Sequence, residues 1–286
     1  MWEPVAYDHR MAMTDDAPQT ETRSIDGVEL TPKTDLHINT PPTFDNVHDE
    51  RLHRKQKLAG ALRIFGRFGF GEGVAGHITV RDPEFPDMFW VNPLGVSFRH
   101  MRVSDLILCD HHGNVVHGDY HVNRAAYVLH SAVHQARPDI VAAAHSHSTY
   151  GKAFSSLGIP LAPLTQDACA FYGDHTVITE HGGAVVFEES AGHDFAAAFS
   201  EGKAAIHQNH GLFTVGRSVD EACFWFCTME RNCQAQLAAM AAGDPIEIRH
   251  EYARYTFEQT GSHQAGWFQF QPLWDEICRT DPDLFD

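Results

Sequence analysis

Basic residues are scarce in this chain of 286 residues. Lysine and arginine number 21 against 38 aspartates and glutamates, which gives a net charge of −17 at pH 7. A surface this negative repels phosphate backbones and anionic lipids, so we expect neither nucleic acid nor a membrane as the main partner. Long apolar runs are also missing, since no stretch approaches the ~18 residues that a membrane-spanning helix needs.

Cysteines and secretion signals are equally sparse. Six cysteines are too few for a disulfide framework in a chain of this length. The first thirty residues lack the basic start and the apolar centre of a secretory signal peptide. We therefore expect reduced thiols and a cytoplasmic protein. Hydrophobic residues make up 43% of the chain, which is enough for a sizeable core and excludes global disorder.

The negative charge is concentrated at the two ends of the chain. The first 50 residues carry a net charge of −8, and residues 275–286 carry −4. The first 47 residues are also rich in Thr, Pro and Asp and have few apolar clusters. We expect a flexible acidic tail over residues 1–47, one domain over residues 48–243 and a C-terminal extension over residues 244–286.

Apolar periodicity predicts alternating helices and strands through the middle of the chain. Leucine and phenylalanine at helical spacing predict an amphipathic helix over residues 49–68. Helices are also predicted over residues 123–136 and, from a capping box at residues 218–221, to about Ala242. The predicted strands lie at residues 78–80, 90–92, 106–109, 115–116, 140–144, 204–208 and 212–215. These elements interleave without repeats, which is typical of one α/β domain.

The histidines point to a metal site. Nine of the 21 fall within residues 100–147. His145 and His147 end a buried strand and, being two residues apart, face the same side of it. His210 lies at the tip of another buried strand, where Gly211 permits a tight turn. Three neutral imidazoles suit zinc, iron, nickel or copper and leave coordination positions open for substrate.

Five motifs, in this order, resemble the class II aldolase/adducin family. They occupy residues 73–81, 91–95, 123–130, 144–147 and 208–212. The resemblance implies a three-layer α/β/α fold with a central, mostly antiparallel sheet. In the enzymatic members it also implies a homotetramer with sites at the subunit interfaces. It makes His145, His147 and His210 the ligands of one divalent metal ion, Zn²⁺ or Fe²⁺.

The chain departs from the family at the acid/base residue. In the sugar-phosphate aldolases of the family, a glutamate on the helix before the His-x-His motif transfers protons. The aligned position in this sequence is Ala126. The resemblance therefore implies a metal site without its usual proton-transfer carboxylate, which puts ordinary aldolase chemistry in doubt.

The phosphate-binding positions depart as well. His77 stands where the family has an asparagine, Leu94 where it has a threonine, and Arg124 and Ala125 where it has two serines; Gly95 keeps its match. The loss of these hydroxyl donors weakens the case for a phosphorylated sugar. We expect His77, Gly95 and Arg124 to bind substrate, Arg124 by clamping a carboxylate with its planar guanidinium. A surface arginine in the first helical turn is the alternative for Arg124.

Two further residues are candidates for catalysis. Tyr172, or nearby Asp167, is a candidate for the missing proton donor, and the alternative for Tyr172 is a core aromatic with a paired hydroxyl. His130 shares a helix face with His134 and is a candidate for supporting the metal ligands, with a structural histidine as the alternative. His207 is expected on the other face of its strand, outside the ligand set.

Three functions follow from these patterns. The first is a metal-dependent lyase of decarboxylase or aldolase type, which cleaves a carbon–carbon bond next to a carbonyl in a small carboxylate or keto acid. Decarboxylation fits Ala126 better, because it needs less proton abstraction. The second is a non-haem Fe(II) oxygenase that oxidatively decarboxylates an aromatic 2-keto acid in secondary metabolism, as similar family members do. The third is a non-catalytic adducin-like interaction module, against which the three histidines argue.

Overall fold

The computed structural model describes residues 24–33 and 35–286. Residues from Thr40 to Asp286 form one compact unit, and the chain before Thr40 is a second unit. In that second unit, β1 (Ser24–Ile25) and β2 (Val28–Glu29) form a short, exposed antiparallel hairpin. Of the predicted acidic tail, residues 1–23 and 34 lie outside the described residues.

The larger unit is built on an eight-stranded sheet. Its strands are β3 (His77–Arg81), β4 (Met88–Val91), β5 (Ile107–Asp110), β6 (Val115–His117), β7 (Ala142–Ser146), β8 (His175–Ile178), β9 (Ala204–His207) and β10 (Gly211–Gly216). They lie in the order β6-β5-β4-β3-β7-β10-β9-β8. All neighbours are antiparallel except β8 and β9, which are parallel. The mostly antiparallel sheet that the family resemblance implied is confirmed.

Helices cover both faces of this sheet. They are α1 (Val47–Phe68), α2 (Arg124–Ala136), α3 (Thr149–Ser155), α4 (Glu189–Ala198), α5 (Val219–Ala242), α6 (His250–Thr260) and α7 (His263–Thr280). One buried cluster joins α1, α5 and α7 to the sheet through Phe65, Phe226 and Phe270. A second joins α2 and α4 to the other face through Val128 and Phe195. The three-layer α/β/α arrangement is thereby confirmed.

The chain itself supplies the signals that begin and end the long helices. Asn46 caps α1 by accepting hydrogen bonds from two backbone N–H groups, and α1 ends at Gly69 in the left-handed conformation, with φ of +78°. Ser218 caps α5 by accepting from the N–H of Glu221, as the capping box predicted. None of the helices in the described ranges has the length and apolarity needed to cross a bilayer.

Several segments differ from the sequence-based expectation or go beyond it, and α3, β8 and α4 are among the elements that the sequence patterns did not predict. The strand predicted at residues 140–144 begins two residues later, so His145 lies within β7 rather than after it. Residues 244–286 had no predicted elements, but they form α6 and α7, and α7 packs on α1 and α5. All six cysteines are unpaired and five are buried, which agrees with the expected reduced thiols.

A buried carboxylate ties α1 to the sheet. Asp82, just after β3, accepts hydrogen bonds from Arg51 Nε at 2.7 Å and from Trp90 Nε1 at 2.9 Å. It also accepts from the backbone N–H groups of Glu84 and Phe85. Burial alone raises the carboxyl pKa, but the hydrogen bonds from Arg51, Trp90 and the backbone outweigh it and hold the pKa of Asp82 at about 2.

We predict that Asp82→Asn lowers the free energy of unfolding at pH 7 by about 2 kcal/mol, because a charge-assisted hydrogen-bond network loses its charge. The folded pKa lies below the usual value of about 3.9 in unfolded chains. This contribution is therefore present above about pH 4 and is lost as the pH falls towards 2. Urea unfolding of both proteins between pH 2 and pH 7 measures the difference.

The matched control is Asp275→Asn, which removes an exposed carboxylate paired with Arg279 on α7. Exposed pairs of this kind contribute about 0–1 kcal/mol, so this variant should unfold nearly as the wild type does at every pH. If the two variants lose the same stability at pH 7, the assignment of the Asp82 network as a stabilising contact is wrong.

Candidate metal centre

The pairing of β7 with β10 brings three histidines together. His145 lies opposite Phe213, and Ser146 lies opposite Leu212, so the end of β7 meets the start of β10. His147 follows β7, and His210 precedes β10. One ring nitrogen from each of His145, His147 and His210 can be chosen so that all three lie within 4.8 Å of one another. The predicted ligand set therefore converges in space.

A tight turn aims His210 at the other two rings. Asn209 adopts the left-handed conformation with φ of +56°, and the N–H of His210 donates to the carbonyl of His207 at 3.0 Å. Gly211 has φ of +148°, and a Cβ atom there would lie 3.1 Å from the carbonyl oxygen of Ser146 on β7. Glycine is needed at this position because it permits both the backbone conformation and the close strand approach.

Hydrogen bonding selects the ring nitrogen that His145 offers. Its Nδ1 lies 2.7 Å from the carbonyl oxygen of Leu212, and because a carbonyl only accepts, Nδ1 carries the proton. Nε2 of His145 is then left with a free lone pair, as metal ligation requires. The three residues present thus fit a divalent metal ion that prefers imidazole nitrogen.

The three imidazoles are held in the neutral form that binds metals. Burial lowers the pKa of His145 well below its usual value, and the neighbouring rings of His210, His147 and His77 lower it further. Burial, followed by His207 and His147, lowers the pKa of His210 to about 3. Burial and the charge of Lys152 lower the pKa of His147. Protons therefore compete weakly with a metal at this cluster.

Glu230 anchors the backbone that follows His147. This carboxylate on α5 is 1% exposed. It accepts hydrogen bonds from Ser148 Oγ at 2.5 Å, from the N–H of Tyr150 at 2.9 Å and from the N–H of Gly151 at 2.5 Å. No sequence motif pointed to Glu230. The sequence feature that could have indicated it is an acidic residue in the apolar part of a long helix, because a buried carboxylate requires hydrogen-bond donors.

A cavity of about 400 Å³ opens in front of the three histidines. Much of its wall is apolar and comes from the loop before β3, from α2 and from the segment after β8: Val74, Ala75, Leu129, Val185, Val186 and Phe187. Within the described residues, no carboxylate lines it, and Lys152 is its one lysine or arginine. Residue 126, the position at which the sugar-phosphate aldolases of the family have their glutamate, lies within α2. The cavity therefore suits an apolar ligand with an anionic group.

Two more of the predicted site residues line this cavity. His77 begins β3 directly opposite His145, and neither of its ring nitrogens has a hydrogen-bond partner. His130 also lines the cavity, but its Nδ1 is hydrogen bonded to Thr79 Oγ1 at 2.8 Å rather than to a metal ligand. Sequence reasoning placed both histidines near the site, and the register of β3 on β7 explains why His77 is there.

Three predicted residues do not line the cavity. Arg124 is the first residue of α2, is exposed, and lines a neighbouring cavity beside Asp119 and Glu189. Gly95 lies in the turn after β4, where its φ of +83° makes glycine favourable. Tyr172 shares a hydrogen bond of 2.7 Å with Nδ1 of His250 on α6. In each case the local backbone or a hydrogen-bond partner directs the residue elsewhere.

His207 lies closer to the cluster than its strand position suggested. Its ring stacks on that of His210, with the centroids 4.8 Å apart. Its Nε2 donates to the carbonyl of Glu180 at 2.9 Å. His207 is therefore a packing neighbour of His210, and it is not one of the three residues that form the cluster.

Comparison with known proteins agrees with this fold. The profile of the Class II Aldolase and Adducin N-terminal domain matches residues 56–237. Decarboxylase NovR of Streptomyces niveus is 44% identical over 252 residues, covering 87% of this chain and 93% of that protein. The 4-hydroxy-3-prenylphenylpyruvate oxygenase/4-hydroxy-3-prenylbenzoate synthase of Streptomyces roseochromogenus subsp. oscitans is 42% identical, covering 87% of this chain and 91% of that protein.

Among solved structures, the L-fuculose 1-phosphate aldolase from Glaciozyma antarctica PI12 superposes with a TM-score of 0.80 at 48% identity. That superposition covers 86% of this chain and 96% of the aldolase chain. The profile spans more than half of the sequence, and two relatives exceed 40% identity over nearly their whole length. On these grounds the chain is a member of the class II aldolase and adducin family.

Proposed function

We propose that the chain is a metal-dependent lyase that removes carbon dioxide from a small keto acid. The observation that carries the proposal is the convergence of His145, His147 and His210 at a cavity that no carboxylate of the described residues lines. A relative named as a decarboxylase, and similar over most of both chains, supports the same reaction class.

The ion would be held by His145 through Nε2 and by one ring nitrogen each of His147 and His210. A bound Zn²⁺ or Fe²⁺ supplies Lewis acidity that polarises a substrate carbonyl. The protein's own contribution is to keep three imidazoles neutral, to orient His145 through Leu212 and to surround the ion with an apolar wall. Lys152 contributes a positive charge at the same cavity, which suits a carboxylate substrate.

The absence of an acid/base carboxylate favours decarboxylation over retro-aldol cleavage. Retro-aldol cleavage requires a base to remove the hydroxyl proton of the substrate. Loss of carbon dioxide from the carbon next to a carbonyl needs no such base, because the electron pair of the broken bond is delocalised onto the carbonyl oxygen. A bound ion would supply the positive charge that stabilises that oxygen. The neutral imidazoles of the cavity do not have to accept a proton in that step.

Oxidative decarboxylation is the second candidate. When the carboxylate is attached directly to the keto carbon, its departure leaves the electron pair on that carbon, and the carbonyl oxygen cannot delocalise it. An oxidant such as O₂ is then required to accept electrons. The relative named as an oxygenase and synthase, together with the apolar wall formed by Val185, Val186 and Phe187, favours this candidate for an aromatic 2-keto acid.

We further propose that the protein works as a homo-oligomer, a tetramer as the family resemblance implies, and that it is cytoplasmic. Exposed large apolar side chains near α6, including Ile246, Tyr252 and Tyr255, support a subunit contact. Sedimentation equilibrium tests the assembly, and a monomer at micromolar concentration would contradict it.

Metal content tests the ligand assignment directly. Protein purified without a histidine tag and without added metal should hold about one divalent ion per chain by mass spectrometry. The double variant His145→Ala/His147→Ala should hold almost none, because one imidazole cannot retain the ion. His193→Ala, which removes an exposed histidine outside the cluster, is the control and should keep the wild-type content. Unchanged metal in the double variant would show that the cluster is not the binding site.

The requirement for oxygen separates the two reactions. Protein loaded with Zn²⁺ and protein loaded with Fe²⁺ should be given two probes, oxaloacetate and phenylpyruvate, with and without O₂. The lyase proposal expects carbon dioxide from oxaloacetate with either metal and no dependence on O₂. Carbon dioxide release from phenylpyruvate only with Fe²⁺ and O₂, matched by oxygen uptake, would replace it with the oxygenase.

Glu230 provides a test of how the site is positioned. We expect Glu230→Ala to weaken metal binding by about 10–100-fold, because the backbone after His147 loses its acceptor. Glu230→Gln should lose less, since the amide oxygen still accepts hydrogen bonds. Competition with a chelator measures the affinity, and circular dichroism checks the fold. Wild-type affinity in a folded Glu230→Ala protein would contradict this positioning role.

A further inference from the structure

A chain of three buried polar side chains lies beside the cavity and takes no part in the metal cluster. Thr79 on β3 lies between His130 and His134, which are one turn apart on α2, and all three are at most 1% exposed. Thr79 Oγ1 is 2.8 Å from His130 Nδ1 and 2.9 Å from His134 Nε2. A hydroxyl has one hydrogen, so Thr79 donates to one ring and accepts from the other.

The remaining ring nitrogens of the two histidines have no hydrogen-bond partner among the described residues. His134 Nδ1 is buried, and the ring of His134 stacks on Phe89 with the centroids 5.5 Å apart. His130 Nε2 is also unpaired, but His130 lines the cavity. An unpaired buried polar group costs stability unless a ligand satisfies it. Only His130 of this pair borders a space where a ligand can do so.

Two proton arrangements satisfy Thr79, and they differ in what they leave unpaired. In the first, His134 Nε2–H donates to Thr79, which donates to His130 Nδ1, so His130 carries its proton on Nε2. In the second, the direction is reversed, and His134 carries an N–H on the buried Nδ1 with no acceptor. Each arrangement leaves one buried N–H without an acceptor from the protein, but only that of His130 borders a cavity in which a ligand can supply one, so the first arrangement is favoured.

Both rings stay neutral in this arrangement. Burial lowers the pKa of His130 well below its usual value, and so does the neighbouring His134. Burial and the charge of Arg81, whose Nη2 donates to the His134 carbonyl at 2.7 Å, lower the pKa of His134. The direction of the two hydrogen bonds through Thr79 is therefore set by which ring nitrogens can be paired, and not by a charged imidazole.

We propose that His130 is a fixed neutral hydrogen-bond donor, through Nε2–H, to a hydroxyl oxygen of the substrate, and that Thr79 and His134 are positioning residues that set its tautomer. The identity of the bound molecule as a keto acid rests on the proposed function. The donor role rests on Thr79, His130 and His134 alone.

The position of His77 explains why the target is a hydroxyl. Its ring centroid lies 5.9 Å from that of His130 and 6.3 Å from that of His145, so His77 neighbours both the donor and the metal cluster. In the proposed complex, the oxygen that meets His130 is a different one from the oxygens that would bind the metal. A neutral His77 with both ring nitrogens free can accept the hydrogen of a hydroxyl whose oxygen accepts from His130. His130 thus selects substrate and does not replace the acid/base carboxylate.

The tautomers are measured by nitrogen-15 NMR of histidine-labelled, Zn²⁺-loaded protein. We expect His130 and His134 both to carry the proton on Nε2. Protons on Nδ1 of both rings would overturn the proposal, because His130 would then offer an acceptor. Thr79→Ser should keep the wild-type pattern, and Thr79→Val should lose it. This readout needs no substrate and does not depend on the reaction.

Substrate selection is measured by calorimetry without O₂, with 4-hydroxyphenylpyruvate and phenylpyruvate as probes on the Zn²⁺-loaded protein. The wild type should bind the hydroxylated probe about 10-fold more tightly, as expected for one buried hydrogen bond. Thr79→Ser should keep this ratio, whereas Thr79→Val and His130→Phe should bring it to about one. No preference in the wild type, or a preference kept in folded His130→Phe, would overturn the donor role. Failure to bind either probe would contradict the proposed keto-acid function. The NMR measurement of the tautomers would in that case still test whether His130 is a donor.

Discussion

The antiparallel pairing of β7 with β10 is the contact on which the whole candidate site depends. It joins segments more than sixty residues apart and sets the end of one strand against the beginning of the next. His145 lies near the end of β7, His147 directly follows this strand, and His210 directly precedes β10. The register between the two strands therefore brings the three candidate ligands together. The hydrogen bond from His145 to the Leu212 carbonyl uses the same pairing to orient the ring. A slip of one residue would turn His145 to the opposite face of the sheet.

The site combines two kinds of constraint, one electrostatic and one structural. Burial in an apolar wall keeps the imidazoles neutral, which is the condition for metal binding and also removes them as proton acceptors. Glu230, on α5, accepts a hydrogen bond from Ser148 in the turn after His147. On the other face of the sheet, Thr79 is hydrogen bonded to His130 on α2. Ligand geometry and cavity polarity are thus maintained by different buried groups on the two faces of one sheet.

The family scaffold is retained, and the family resemblance implies that its acid/base chemistry is altered. A TM-score of 0.80 to an aldolase chain shows that the family fold is retained. The cavity has no carboxylate from the described residues and has a largely apolar wall. Such a site can polarise a carbonyl and bind an apolar body, which matches the loss of carbon dioxide better than the cleavage of a sugar phosphate.

By itself the sequence determined the local elements and the ligand candidates. Periodicity and caps located α1, α2 and α5, and the His-x-His motif with Asn209-His210-Gly211 pointed to three candidate ligands, because these signals depend on neighbours along the chain. Only the tertiary structure decided that Glu230 and Thr79 support the site and that Arg124 and Tyr172 face elsewhere. Those outcomes depend on strand register and helix packing between distant segments, which no local pattern encodes.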